Sequence, residues 1–333
     1  MTEKIDFVIL WVDGNDQKWL KEKKEYELKI KGSSSIDASN IRYRDWENLK
    51  YWFRGVEKYA PWVNKIHFIT CGHLPEWLNE KNPKLNIVKH SDYMPLDSLP
   101  TFNSNSIELL INKIPNLEEK FVLFNDDMFL IKKVNPSDFF KNNLPCNSMA
   151  LCPIIPSFKS PFNETVSNNV KIINKYFNFD MCKKKNMFKY LSLKQNKYLL
   201  KSLSMYMYHE FSGFCNFHLP LSYLKATFDE VWNLEENTLK DTVYSKFRDY
   251  DKNVSHWLFN YWQFASGKFY PKSVKFGVNL SINDKKVHNI IRKQKYKTIG
   301  LGDIELKENF EIIKQQIIDD FEEILPEKSS YEK

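Results

Sequence analysis

The sequence predicts an α/β fold, in which a mainly parallel sheet is flanked by helices and followed by a mainly helical second half. Short apolar runs typical of buried strands alternate with helical patterns through the first 145 residues. Apolar residues make up 42% of the 333 residues and aromatic residues 15%, which is enough for a substantial core. After residue 145, closely spaced prolines interrupt the alternation, and mainly helical composition follows.

Each predicted element has its own signal in the sequence. Continuous apolar runs rich in β-branched residues indicate strands at 5–12, 65–72, 85–90 and 121–124. Helical composition or spacing indicates helices at 16–31, 46–60, 103–115 and 255–266. An amphipathic helix is predicted near the end, where apolar residues recur every three or four positions at Leu306, Phe310, Ile313, Ile317, Phe321 and Ile324.

Composition excludes some classes of site. Glycine is scarce, at 9 residues, and neither GxGxxG nor GxxxxGK[ST] occurs, so side chains or a metal ion must hold any phosphate. The five cysteines form no CxxC pair, so we expect neither a disulfide nor a zinc site, as in a reducing cytoplasm. The chain shows no signal peptide and no apolar run long enough to cross a bilayer. We therefore expect a cytoplasmic protein and leave open peripheral contact with the inner face of the membrane.

Positive charge is concentrated in one segment. Nine lysines and a single acid, Asp180, lie between Lys171 and Lys201, in a chain of net charge +7. Such a segment suits contact with an anionic membrane surface or another polyanion. A solvated lysine-rich face is the alternative interpretation.

Polar side chains follow two of the predicted strands where each strand ends. Asp13–Asp16 follow the first strand, and Asn125, Asp126 and Asp127 follow the fourth. Ligands of parallel sheets bind beyond the carboxyl ends of the strands, so both groups could face one crevice. Paired carboxylates suit Mg²⁺. The alternatives are a turn at Asp13 and helix capping or ion pairing at Asp126 and Asp127.

Other candidate residues are a histidine and two arginines. His218 lies two residues before Pro220, whose ring restricts the local backbone, and histidine can act as an acid or a base near neutral pH. His209 competes with it for this role. Arg44 and Arg248 are candidates for phosphate contact because guanidinium groups bind phosphate through two hydrogen bonds.

Four segments together resemble a known family. IDFVILWVDGNDQKWL resembles the opening signature of the Stealth family of sugar-phosphate transferases, an apolar strand that ends in W-V-D-G-x-D. Residues 41–140, through LPTFNSNSIE to FVLFNDDMFL, resemble its second signature. FHLPLSYL is similar to the third, and KFRDYDKNVSHWLFNYWQFASGKFYP to the fourth. One departure is TCGH at 70–73, where the family commonly has T-D-G-Q.

The resemblance implies a Rossmann-like, nucleotide-sugar transferase-like fold and a phosphotransferase. The family includes bacterial capsule and cell-wall polysaccharide phosphotransferases and the animal N-acetylglucosamine-1-phosphotransferase. Such an enzyme moves a sugar-1-phosphate from a nucleotide sugar, expected to be UDP-linked, to a hydroxyl of an oligosaccharide or growing polysaccharide. A phosphodiester forms and a nucleoside monophosphate leaves.

The resemblance also implies roles for individual residues. From the paired carboxylates we expect Mg²⁺ or Mn²⁺ to be held at Asp126 and Asp127. The expected catalytic residues are Arg44, Asp126, Asp127, His218 and Arg248. The expected substrate-binding residues are Asp13, Gly14, Asn103, Asn105 and Asn125. His218 or one of the paired aspartates would accept the proton of the attacking hydroxyl, and the sequence leaves the choice open.

These expectations divide the chain into four parts. Residues 1–145 would form an α/β nucleotide-sugar-binding core, and 146–205 a lysine-rich, mainly helical insertion. Residues 206–300 would complete the catalytic core, and 301–333 would form a C-terminal amphipathic helix and tail. Two other functions are open: a metal-dependent phosphohydrolase or nuclease, and a non-catalytic polyanion-binding module. Nucleic acid is not expected as a partner, because acids at the strand ends would repel it and no nucleic-acid-binding motif occurs.

Overall fold

The computed structural model describes residues 4–29, 36–37, 39, 43–155, 161–304 and 310–333. The strands are β1 (Asp6–Leu10), β2 (Ile36–Asp37), β3 (Ile66–Thr70), β4 (Leu85–Lys89), β5 (Lys120–Phe124), β6 (Met128–Leu130), β7 (Phe140–Lys141), β8 (Leu144–Asn147), β9 (Leu221–Leu224), β10 (Arg248–Asp249), β11 (Tyr270–Pro271), β12 (Gly277–Ser281) and β13 (Thr298–Gly302). The α-helices are α1 (Gln17–Lys29), α2 (Leu49–Tyr59), α3 (Ser104–Glu108), α4 (Phe162–Tyr176), α5 (Phe179–Tyr190), α6 (Leu199–Ser204), α7 (Lys225–Val243), α8 (Trp257–Ser266), α9 (Lys286–Arg292) and α10 (Phe310–Ile324).

The main sheet has five strands in the order β4-β3-β1-β5-β9. The pairs among β4, β3, β1 and β5 are parallel, and only the edge strand β9 runs antiparallel to its neighbour. Smaller sheets are formed by β12, β13 and β6 and by β11, β8 and β7, and β2 pairs with β10. The α/β prediction with a mainly parallel sheet is therefore confirmed.

Both faces of the main sheet are covered, as continuous apolar strands require. On β1 the side chains of Phe7 and Ile9 belong to one hydrophobic core, which also holds residues of α2. The intervening Val8 belongs to a second core on the opposite face, together with residues of α4, α7 and α8. This alternation follows from the two-residue period of a strand.

The sheet order creates a crevice beside the central strand. From β1 the chain continues to β3 and then β4 on one side, whereas β5 pairs with the other side of β1. Connections that leave a parallel sheet in opposite directions leave a gap at the carboxyl ends of the two strands. The segments after Leu10 and after Phe124 emerge at this gap, as the sequence predicts.

Most predicted helices are found close to their predicted bounds, but the helix predicted at 103–115 is wrong in length. The α-helix α3 ends at Glu108, and a 3-10 turn, Ile111–Lys113, follows. Leu109, Leu110 and Ile111 are all buried, and consecutive buried positions do not suit a helix with one apolar face. Helix α10 is confirmed from Phe310, whereas Leu306 lies outside the described residues.

The expectation that no disulfide forms is also wrong. Cys152 and Cys215 form a disulfide across 63 residues of sequence. Backbone hydrogen bonds from Cys152 to Gly213 and from Cys215 to Ala150 align the two segments, and no cysteine spacing in the sequence reveals this pairing. The correction removes the cysteine argument for a reducing cytoplasm. None of the helices in the described part of the chain is long and apolar enough to span a membrane.

Candidate active site

A cavity of about 600 Å³ opens at the gap between β1 and β5. Its volume is in the range of small-molecule sites. Segments distant in sequence contribute to its walls, and the predicted residues that line it are Arg44, Asn105, Asn125, Asp126, Asp127, His218 and Arg248. The structure thus brings seven of the predicted site residues together, including all five predicted as catalytic.

The paired aspartates lie on a tight turn between β5 and β6. The backbone N–H of Met128 donates to the carbonyl oxygen of Asn125 over 3.1 Å, which closes the turn. Asp126 lines the cavity with an exposed side chain. The nearby protein still removes its carboxyl group from part of the surrounding water, and this effect, together with the carboxylates of Asp127 and Asp45, raises the pKa of Asp126 to about 7. Such a carboxyl group is expected to bind a proton or a cation near neutral pH.

Asp127 pairs with His218. The Nε2 of His218 lies 2.9 Å from the Oδ2 of Asp127, although the residues are 91 positions apart. Burial favours the neutral imidazole, but the charge and hydrogen bond of Asp127, with the charges of Glu108 and Asp126, outweigh it and raise the pKa of His218. A carboxylate that accepts Nε2–H leaves Nδ1 as the nitrogen able to take a proton.

The backbone of His218 is held in an uncommon conformation. Its φ is 46°, in the left-handed region, which histidine adopts more readily than most residues. Gly300 of β13 allows the close approach of this segment, because a Cβ at Gly300 would lie 2.9 Å from the carbonyl oxygen of His218. The backbone of His218 therefore lies close against β13, and Asp127 holds its imidazole.

The aspartates have donor atoms suited to a divalent cation. The Oδ1 atom of Asp127 is buried and has no hydrogen-bond partner within the described residues. Carboxylate oxygens are the ligands that Mg²⁺ and Mn²⁺ prefer, usually one or two of them with substrate phosphates and water. No group of three or more His, Cys, Asp or Glu in the described ranges is arranged to hold a metal ion. The protein would thus supply two carboxylates, and the substrate and water would supply the rest.

The two arginines enter the cavity from different segments. Arg44 precedes α2, and its Nη1 lies 3.4 Å from Oδ1 of Asp303. Arg248 belongs to β10, and its Nη2 donates to the hydroxyl of Ser104 over 2.6 Å. Each guanidinium has a bonded neighbour that helps to orient it at the cavity wall. Arginines held in this way can bind the oxygens of a phosphate group.

The sequence analysis missed several titratable residues that line the cavity, including Asp45, His90 and Asp303, and two of them, Glu108 and His256, have strongly shifted pKa values. Burial raises the pKa of Glu108 to about 7, even though Arg248 and Ser104 favour its ionised form. Burial also lowers the pKa of His256 to about 3, and its Nε2 lies 3.8 Å from Glu108. Glu108 lies inside the helix predicted at 103–115, where the sequence gives no sign of a site, whereas His256 lies at the start of the helix predicted at 255–266.

Asp13 and Gly14 are not among the residues that line the cavity, and their contact with substrate stays a prediction. The carboxylate of Asp13 accepts the backbone N–H of Asn15 over 2.8 Å, so Asp13 is a turn residue. His73, in the segment that departs from the family pattern, accepts the backbone N–H of Asp13 over 2.7 Å. At Gly14 a Cβ would lie 1.6 Å from the carbonyl oxygen of Tyr43. Gly14 therefore permits close packing beside the arginine of the cavity wall.

Asn103 and Asn105 have different environments. The side chain of Asn103 is fully buried, donates to Asn253 over 2.9 Å and accepts the N–H of Asn105. It lies outside the cavity wall, so its expected substrate contact is corrected to a structural role beside Arg248. Asn105 does line the cavity, and its Nδ2 has no hydrogen-bond partner in the described part of the protein. The competing His209 is exposed and pairs with Asp180, away from the cavity.

Comparisons with known proteins agree with this site. The family model "Stealth protein CR1, conserved region 1" matches residues 3–31, and "Stealth protein CR2, conserved region 2" matches residues 42–147. These matches include the segments after β1 and β5 and helix α3. They therefore cover much of the cavity wall.

Curated relatives match along the entire chain. The capsular polysaccharide phosphotransferase WcwK of Streptococcus pneumoniae is 44% identical, over 99% of this chain and 98% of its own length. The exopolysaccharide phosphotransferase cps2G of Lactiplantibacillus plantarum is 37% identical, over 99% and 96%. The receptor polysaccharide phosphotransferase WefC of Streptococcus oralis is 40% identical, over 99% of both chains.

Solved structures show weaker likeness. The galactosyltransferase LgtC, in complex with donor and acceptor sugar analogs, aligns over 94% of this chain and 95% of its own, with a TM-score of 0.40 and 10% identity. We base nothing on a likeness of this size. The relatives, by contrast, are similar over the full length and are named as phosphotransferases, which agrees with a transferase and not with a hydrolase or a non-catalytic binding module. The chain belongs to the Stealth family of polysaccharide phosphotransferases.

Proposed function

We propose that the protein transfers a hexose- or N-acetylhexosamine-1-phosphate from a nucleotide sugar, with UDP as the expected nucleotide, to a hydroxyl of a capsular or cell-surface polysaccharide. The acceptor oxygen bonds to the β-phosphorus, and the bond from that phosphorus to the bridging oxygen breaks. A phosphodiester and a nucleoside monophosphate result. The observation that carries the proposal is the His218–Asp127 pair beside Asp126 in a cavity that also holds two arginines.

His218 is the proposed base. Its raised pKa and its bond to Asp127 make it a good acceptor for the proton that leaves the attacking hydroxyl. Asp127 orients the ring and stabilises the imidazolium that forms. In our proposal Asp127 therefore supports His218 and does not itself take the proton.

Arg44 and Arg248 stabilise negative charge. A diphosphate that reacts at its β-phosphorus carries charge on the transferred group and on the departing nucleotide. Both arginines line the cavity and are anchored by a neighbour, so little reorientation is needed when charge develops. Asn105 and Asn125 also line the cavity and provide amide groups for sugar or phosphate oxygens.

Asp126 and Asp127 would hold Mg²⁺ or Mn²⁺. Such an ion would neutralise diphosphate charge and help the nucleotide to leave. Binding can be measured without turnover by titrating the purified protein with Mn²⁺ and following the free ion by electron paramagnetic resonance. Asp126→Asn should weaken Mn²⁺ binding at least about tenfold, whereas Asp92→Asn, at an exposed acid that does not line the cavity, should not. Equal affinities would contradict this assignment.

The position of the broken bond tests the reaction. Two batches of donor, labelled with ³²P at the α- or the β-phosphate, are incubated with the enzyme, a divalent cation and an acceptor oligosaccharide. Our proposal requires the β-label in the acceptor product and the α-label in nucleoside monophosphate. A panel of nucleotide sugars identifies the donor in the same experiment.

Other distributions of label identify other reactions. If the β-label leaves on a nucleoside diphosphate, the enzyme breaks the anomeric bond and our proposal is wrong. If the β-label appears as free sugar phosphate at the same rate with and without acceptor, the enzyme is a hydrolase. An Asp127→Asn preparation serves as the control for contaminating activities.

We propose the cytoplasm, near the inner face of the cell membrane, as the site of the reaction. The cytoplasmic leaflet is rich in anionic lipids, and it would attract the lysine-rich segment at 171–201.

A further inference from the structure

The surface formed by α5, α6 and the turns beside them combines exposed apolar side chains with lysines. We name it the apolar-basic patch, and it consists of Met181, Lys184, Lys185, Phe188, Leu193, Leu200, Lys201, Leu203 and Met207. Among the described residues, eight of the fourteen exposed large hydrophobic side chains lie between 181 and 208. Monomeric soluble proteins seldom concentrate apolar exposure in this way without a binding role.

Helix α5 presents one edge of the patch. Its positions 179, 182, 186 and 190 are buried against the protein, at the spacing of one helical face. Met181, Lys184, Lys185 and Phe188 are all exposed. Phe188 is 87% exposed and Met181 71%. The apolar side chains on this edge therefore lie between charged lysines instead of in the core.

Helix α6 and the turn after it present a second edge. Leu200, Leu203 and Met207 follow one another at a helical spacing and are 78%, 52% and 82% exposed. Ser202 and Met205, between them, are buried. The helix thus has an apolar stripe that faces away from the protein.

The two edges are joined. The Nζ of Lys183 in α5 donates to the carbonyl oxygens of Tyr206 and Tyr208 over 3.1 and 2.8 Å. Asp180 of α5 pairs with His209 over 3.0 Å. The start of α5 and the end of the α6 segment therefore belong to one region of the surface.

We propose that the apolar-basic patch docks the protein on an anionic phospholipid bilayer. Lysines attract the headgroups while phenylalanine, leucine and methionine side chains enter the boundary with the acyl chains. Nine lysines face only one acid between 171 and 201, so charge complementarity favours an anionic partner. Protein interfaces are depleted in lysine at their centre, and a polysaccharide provides no hydrocarbon to bury leucine or phenylalanine. Lipid satisfies both requirements.

Helix α4 connects the cavity to the docking surface. Phe162 and Asn163 line the cavity at the start of α4. Helix α4 then runs 15 residues to Tyr176, about 22 Å, and α5 follows after two residues. Docking through the patch would therefore link the cavity wall to the membrane surface through one continuous segment.

Vesicle sedimentation tests the proposal with the full-length protein. Sucrose-loaded vesicles of phosphatidylcholine alone are compared with vesicles containing 30% phosphatidylglycerol, roughly an anionic leaflet. The wild type should partition onto the anionic vesicles. Lys184→Gln with Lys185→Gln should lower the partition coefficient onto anionic vesicles roughly 25-fold, because each lysine contributes about fivefold. Phe188→Gln with Met207→Gln should lower it about tenfold or more.

Matched controls separate the patch from general charge and hydrophobicity. Lys285 and Lys286 are an adjacent exposed pair outside the patch, and Leu96 is 74% exposed in a separate turn. Lys285→Gln with Lys286→Gln, and Leu96→Gln, should retain wild-type binding. Circular dichroism confirms folding of each variant, and all substituted side chains are exposed.

Three results would overturn the proposal. The first is no binding of wild type to anionic vesicles, or equal binding to neutral ones. The second is an equal loss in the control variants. The third is a wild-type dimer that the patch variants dissociate without any change in vesicle binding, which would assign the patch to contact between two copies. None of these results bears on the phosphotransfer reaction, whose label experiment uses soluble substrates.

Discussion

Replacing Glu108 by glutamine should make the protein more stable at alkaline pH relative to wild type. Glu108 is 4% exposed, and burial raises the pKa of its carboxyl group to about 7 despite the favourable charge of Arg248. The folded protein therefore holds a proton on Glu108 in a pH range where the unfolded chain has lost it. Glutamine keeps the shape of the side chain and cannot ionise.

The magnitude follows from the two pKa values. The ordinary value of 4.5 and the folded value of about 7 differ by about 2.5 units, and each unit corresponds to about 1.4 kcal/mol. Because the folded pKa is the higher one, wild-type stability falls as pH rises from 4.5 to 7 and then levels off. The free energy of unfolding of Glu108→Gln, relative to wild type, should rise by about 2 to 3 kcal/mol between pH 5 and pH 8.

Urea unfolding followed by circular dichroism at several pH values measures this difference. Subtracting the wild-type curve removes the contributions of other titrating groups common to both proteins. Glu80→Gln, at an exposed glutamate, is the matched control, and its curve should run parallel to wild type. Parallel curves for Glu108→Gln as well would show that Arg248 and Ser104 fully stabilise ionised Glu108 and that our reasoning about its burial is wrong.

Three further predictions concern residues in the cavity and residues packed beside it. Asp127→Asn and His218→Gln should each lower the rate of label transfer by a factor of about 100 or more. The double variant should be little slower than either single variant because the pair acts as a unit. A double variant whose rate falls by the product of the two single factors would contradict the pairing. Gly14→Ala should lower the free energy of unfolding, measured with urea, by about 1 to 3 kcal/mol, because the new methyl group would lie 1.6 Å from a carbonyl oxygen. Gly302→Ala is the control and should change it little, because the nearest atom to its new methyl group is 3.7 Å away. Asn103→Ala should lower stability by about 2 kcal/mol or more by leaving buried partners unsatisfied, and a fully stable variant with a raised KM would instead favour substrate contact.

The strands were predictable because their apolar runs require burial on both faces. Val8 points to one face of the sheet and Phe7 and Ile9 to the other, so all three are buried only if both faces are covered. The placement of Asn125–Asp127 was predictable for a related reason, since carboxyl ends of parallel strands meet at one edge. Local pattern and sheet geometry together were enough for this half of the site.

The other half depends on contacts between distant segments. His218 reaches Asp127 across 91 residues with a φ of 46°, and its approach requires Gly300 on another strand. The pairing of Cys152 with Cys215 likewise spans 63 residues. Neither arrangement has a local periodicity, so short-range patterns in a single sequence do not reveal it. The family resemblance identified His218, but the geometry shows what it contacts.

Two acidic residues beside buried strands show most clearly what the sequence leaves undecided. Asp6 begins β1 and is fully buried, like a functional carboxylate. Burial would raise its pKa, but hydrogen bonds from His67, Asn64 and the backbone N–H of Glu118 outweigh this effect and lower it. Its oxygens are occupied by the protein, so Asp6 joins strands and has no remaining capacity for a ligand.

Asp126 is the opposite case. It also adjoins a buried strand, but partial removal from water and the nearby carboxylates of Asp127 and Asp45 raise its pKa to about 7. A site for a cation or a phosphoryl group requires charge that the protein itself leaves uncompensated. Composition and spacing describe both acids in the same way, and only the positions of their partners distinguish the structural carboxylate from the one that can act on a substrate.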